Sequence, residues 1–61
     1  MTKQEKQKLN KVIEYIENLK SYCLQEYEKA NNKDASFYFR GAYCNIYSCL
    51  NEIKEKFNIK D

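Results

Sequence analysis

Asn31-Asn32-Lys33-Asp34 is the one strong interruption in a 61-residue chain with no proline and a single glycine. Asparagine tolerates the left-handed backbone that often ends a helix. Asp34 or Asn32 can then offer a side-chain oxygen to cap a second helix. On either side of the tetrapeptide almost nothing opposes helix formation. The pattern predicts helix 1 over about residues 3–30, a turn over 31–34 and helix 2 over about 35–58, all within one domain spanning 1–61.

Upstream of the turn, Thr2-Lys3-Gln4-Glu5 fits the capping box, in which hydroxyl and carboxylate each satisfy an orphan backbone N–H. Leu9, Val12, Ile16, Leu19 and Cys23 then recur at alternating spacings of three and four, and Ile13, Tyr27 and Ala30 widen the stripe. Glu14, Glu17, Asn18, Ser21 and Gln25 occupy the polar side. Downstream, the core stripe is Ala35, Phe39, Ala42, Tyr43, Ile46, Cys49, Leu50, Ile53 and Phe57. So short a turn makes the two helices antiparallel neighbours. Folding about residues 32–33 sets Leu19 against Ile46, Ile16 against Cys49, Val12 against Ile53 and Cys23 against Ala42, so that large side chains mostly meet smaller ones.

The expected fold is therefore all-α, an antiparallel two-helix hairpin. Two helices cannot enclose a core, since each stripe stays wet on one side. Two hairpins dimerising into a four-helix bundle remove that problem, and twofold dimers are the commonest symmetric assembly. A chain of this size buries only about 60% of its unfolded surface and is marginal as a monomer; proteins this small usually add disulfides, a metal or a second copy.

Composition narrows these options. Three cysteines cannot all pair within the chain, and no signal peptide is evident. Cys23, Cys44 and Cys49 are expected to be reduced thiols of a cytoplasmic protein, Cys23 and Cys49 acting as small core hydrophobes. With no histidine and no CxxC pair, no metal site is expected, and no other cofactor either. No run approaches the ~18 apolar residues of a membrane span. Abundant Lys, Asn, Ile and Tyr suit an AT-rich genome, such as that of a low-GC bacterium or its mobile elements. Net charge is +2, from 11 basic and 9 acidic residues. The basic excess sits at the start, where Lys3, Lys6, Lys8 and Lys11 face only Glu5; this suits an anionic partner or simply a solvated helix.

Residues 36–50 hold one charge, Arg40, and more aromatic surface than one core needs. Projected around helix 2, Tyr38 falls to one side of the core stripe, and Arg40 and Tyr47 fall to the other. Phe37 and Cys44 point backward beside Gly41 and Ser48. On helix 1, Tyr15 and Tyr22 share a flank. Tyrosines in such positions can cover the edges of a bundle, with ring buried and hydroxyl wet. Tyr and Arg are also the residues enriched among energetic anchors of interfaces. Arg40 has two readings, a snorkelling side chain paired with a carboxylate or the Tyr47 ring, or an anchor for a partner's carboxylate or phosphate. Catalytic chemistry is not expected. No phosphate loop is present, and no Ser or Cys lies beside a plausible base.

In plan, the chain resembles the Rop RNA-binding proteins, which dimerise as helical hairpins; no motif is shared, so no functional residues carry over. The run YFRGAYCNIYSCLNEI, residues 38–53, is similar to the second helix of short helical-hairpin proteins of phages and mobile elements. The leading expectation is a non-enzymatic protein-binding module, which that resemblance makes an accessory or inhibitor of the anti-CRISPR or other anti-defence type, acting on a host protein as a homodimer. Its contact surface would be Phe37, Tyr38, Arg40, Tyr43 and Tyr47. The first alternative is RNA or DNA binding through Lys3, Lys6, Lys8 and Lys11, with Asn10 and Tyr15. The second is a purely structural oligomeric bundle.

Overall fold

The computed structural model describes residues 1–59, so Lys60 and Asp61 of the expected 1–61 domain lie outside the described residues. Two helices, α1 (Lys3–Lys29) and α2 (Lys33–Lys56), pack antiparallel as a hairpin. Near the turn, the Tyr22 and Phe39 rings meet edge to face at 6.4 Å. Toward the open end, Lys54 Nζ donates to Glu17 Oε1 at 3.1 Å.

The capping box forms as expected. Glu5 N donates to Thr2 Oγ1, and Thr2 N donates to Glu5 Oε1, each at 3.1 Å. Accepting that backbone hydrogen bond, and then the contact with the Thr2 side chain, holds the Glu5 carboxyl below its ordinary pKa.

The turn is tighter than expected and shifted toward the N-terminus. α1 ends at Lys29 with an extended Ala30 cap, not with a left-handed asparagine. Asn32 caps α2, its Oδ1 accepting from Ala35 N at 2.8 Å. Of the two capping candidates Asn32 prevails, which leaves Asp34 inside the first turn, where a negative charge complements the helix dipole. The left-handed asparagine occurs instead at the far end. Asn58, at φ 54°, follows the Phe57 cap. Asn58 N donates to Glu55 O at 3.2 Å, and Ile59 N to Lys54 O at 2.8 Å, the paired bonds of a Schellman motif. α2 therefore stops at Lys56, two residues before the expected boundary.

The core is narrower than the two stripes implied. Among the described residues only Ile13, Cys23 and Leu50 are buried, with Leu9, Ile16, Phe39, Ala42, Tyr43, Ile46 and Ile53 half-buried around them. Val12, Leu19, Tyr27, Cys49 and Phe57, all expected in the core, are exposed. The reason is geometric. A single neighbour covers one seam of a helix, and α1 carries two adjacent stripes. Leu9, Ile13, Ile16, Lys20 and Cys23 follow the seam, whereas Val12 and Leu19 lie on the next row around the cylinder.

The hairpin is a rod of 46 × 16 × 15 Å with a radius of gyration of 13.9 Å. A compact globule of this length would have a radius of about 10.5 Å. Its accessible surface is 5260 Å². A folded monomer of this mass would expose about 4,200 Å². The unpaired helix faces make up that excess.

Candidate functional site

The aromatic residues of α2 do not form one patch. Tyr38 and Tyr47 are nine residues apart, which places them about 180° apart around the helix. On one side of the hairpin Tyr38 packs edge to face on Phe39, with centroids at 5.0 Å, and Phe39 in turn meets Tyr22. On the other side Tyr43 and Tyr47 lie 6.1 Å apart at 38°, and Lys20 Nζ sits 5.1 Å above the Tyr47 ring. Tyr43 is half-buried against the seam and backs Tyr47 rather than presenting itself. Of the five residues expected to act together, Phe37, Arg40 and Tyr47 thus share the outer and Lys20-facing surface of α2, while Tyr38 belongs to the opposite face.

Arg40 is exposed and makes no ion pair among the described residues. The cation over Tyr47 is Lys20, so the expected Arg40–Tyr47 stacking does not form. Lys20 and the Glu17–Lys54 pair flank the seam on this side, with Lys54 mostly covered and Glu17 half in solvent. Neither was foreseen, because a helical projection assigns every lysine to the wet side.

Phe37, Gly41, Cys44 and Ser48 recur at spacings of four, three and four along the back of α2, all exposed and all uncharged. Phe37 is 65% exposed. A Cβ at Gly41 would meet nothing within 4 Å, so nothing within the hairpin requires the glycine. Beside Phe37 the turn residues Ala30, Asn31, Asn32, Lys33 and Ser36 shape an open hollow. The ridge therefore presents a knob, a dip at the glycine and a flat uncharged tail, with Arg40 and Tyr47 along one edge.

The basic residues at the start of α1 diverge. Lys3, Lys6, Lys8 and Lys11 are all exposed. Lys6 lines a hollow at the open end with Leu9, Asn10 and Phe57, whereas Lys8 and Lys11 line another with Gln4 and Gln7. They do not make one stripe along which a phosphate backbone could run.

Among the described residues no group of His, Cys, Asp or Glu is arranged to hold a metal ion, and no helix is long and apolar enough to cross a membrane. The three cysteines are free, Cys23 buried and Cys44 and Cys49 exposed. Fold and surface together define a helical hairpin with an exposed, uncharged row headed by Phe37 along the back of α2. Comparison with protein-family models, curated proteins and solved structures gives no match to this chain.

Proposed function

We propose that this chain is a non-enzymatic protein-binding module that engages a partner through the back of α2. The observation carrying the proposal is Phe37, 65% exposed at the head of an uncharged ridge whose glycine has no role inside the hairpin. Large exposed aromatics beside an exposed arginine are the chemistry of interface anchors. A dip at Gly41 lets a partner's backbone approach closely. Three free thiols suit a reducing, cytoplasmic setting. The narrower role, an anti-defence inhibitor from a phage or mobile element, rests on the resemblance of residues 38–53 alone. Nucleic-acid binding is less well supported, because the four lysines point in different directions.

Capture from host lysate by the immobilised chain, with and without nuclease, tests the proposal. A nuclease-resistant partner should be retained by the native chain and lost with Phe37→Ala or Tyr47→Ala, both variants keeping native helicity. Capture that disappears with nuclease and ignores both substitutions would overturn it. A flat dependence of binding on salt is expected as well, since phosphate contacts would give a steep one.

A further inference from the structure

The second stripe of α1 has a property that the first lacks: it is complementary to itself read backwards. Val12, Tyr15, Leu19 and Tyr22 follow one another at spacings of three, four and three, and all four are exposed. The same spacing continues outward to Lys8 and Glu5 at one end and to Glu26 and Lys29 at the other. The row is thus apolar in the middle and charged at both tips, with a twofold centre near residue 17. Reversed about that centre, Val12 meets Tyr22, Tyr15 meets Leu19, Lys8 meets Glu26 and Glu5 meets Lys29. Each acid finds a base and each apolar residue an apolar one. Aligned in parallel, every charge would instead meet its own kind.

We infer that this row is the seam on which a second copy of the chain docks, α1 against α1 and antiparallel, completing a four-helix bundle. α2 supports the same arrangement. Its face on this side carries Tyr38, Ala42, Asn45 and Cys49, uncharged like the middle of the α1 row. Residue 17 lies about twelve residues from the turn end of α1 at Lys29, and the same distance along α2 from Lys33 reaches the middle of α2. One twofold axis can therefore serve both helices. The available area suffices. The hairpin exposes about 1,000 Å² more than a compact chain of its mass, and a standard interface takes about 800 Å² from each partner. Seating a copy here leaves Phe37, Arg40 and Tyr47 facing outward, so the dimer would display two copies of the ridge. Tyr38 passes from the partner surface to the dimer seam.

Charge reversal tests both the occupant and its direction. By sedimentation at several concentrations the full chain should run as a dimer. Val12→Lys, or Leu19→Lys should the first variant lose helicity, should abolish association. Lys8→Glu should weaken it roughly tenfold at low salt, by setting acid against acid at two symmetry-related sites. Adding Glu26→Lys to Lys8→Glu should restore it to within about threefold of native. A chain that stays monomeric at every concentration overturns the proposal. So does association that survives Val12→Lys and Leu19→Lys in folded variants, and so does a Lys8→Glu defect that Glu26→Lys fails to rescue.

Discussion

Truncating Leu50 and Leu19 to alanine should have different consequences, because one lies in the hairpin's own seam and the other on the second row. Leu50 is 2% exposed, and Leu19 is 39% exposed. Emptying a fully buried leucine site costs about 2–5 kcal/mol, including the cavity left behind. A chain of this length has a total stability of roughly 3–9 kcal/mol, so Leu50→Ala should remove a large share of it at any concentration. For Leu19 in a lone hairpin, about three-fifths of a leucine burial worth ~1.5–3 kcal/mol is at stake, or about 1–2 kcal/mol, with no closed cavity. In the dimer the remaining two-fifths is buried too, and the loss should approach that at Leu50. Urea unfolding followed by far-UV circular dichroism, at protein concentrations of roughly 2 and 200 µM, separates the two cases. Over that hundredfold range mass action should raise native stability by about 2.7 kcal/mol. Leu50→Ala should keep much of this dependence and Leu19→Ala should lose most of it. The reasoning is refuted if Leu19→Ala is as damaging as Leu50→Ala at the lower concentration, or if Leu50→Ala costs under ~1 kcal/mol.

Other substitutions probe separate parts of the structure. Gly41→Ala should stabilise the hairpin by roughly 1 kcal/mol, because the added methyl meets open space on a helix, and thermal melts check this; the same change should weaken partner capture. Asn32→Ala should cost about 1 kcal/mol by leaving the Ala35 N–H without its cap, measurable by urea titration. Glu17→Gln should cost under ~1 kcal/mol, since Glu17 is half in solvent although Lys54 is mostly covered. Glu5 sets a pH dependence. Its carboxyl is held below the ordinary value in the folded chain, so its contribution is present above that value and fades as pH falls through the lowered one. The melting advantage of the native chain over Glu5→Ala should accordingly be full at neutral pH and shrink in acid.

The ends of the helices were the most legible part of the chain, since caps depend on a few adjacent residues. Thr2 with Glu5 formed the box their spacing implied. Asn32 and Asp34 were ambiguous because both can cap, and only the closure of the turn decides between them. The width of the core was less legible. Helical periodicity merges Ile13 and Val12 into one broad stripe, and nothing local says that a single neighbour covers the first and misses the second. Lys20 and Glu17 were hidden for a related reason, because their place beside the seam depends on Tyr47 and Lys54 across the hairpin. For the candidate surface, the division of Tyr38 from Arg40 and Tyr47 followed from helical geometry alone. That Tyr38 shares its side with Tyr22, and Tyr47 its side with Lys20, required the packed pair.

The distance between two turns tests the central claim, that the hairpin is half of an antiparallel bundle. A spin label carried by a ketone-bearing residue at exposed Asn31 leaves all three cysteines native, and double electron–electron resonance then reads the separation between copies. With the twofold axis near residue 17, each turn lies some 14 residues from it, which sets the two labels about 42 Å apart along the rod at 1.5 Å per residue. A single population near that separation is the expected result. No coupling between copies, or a separation under about 20 Å as in a parallel pair with helix axes 8–10 Å apart, would contradict it.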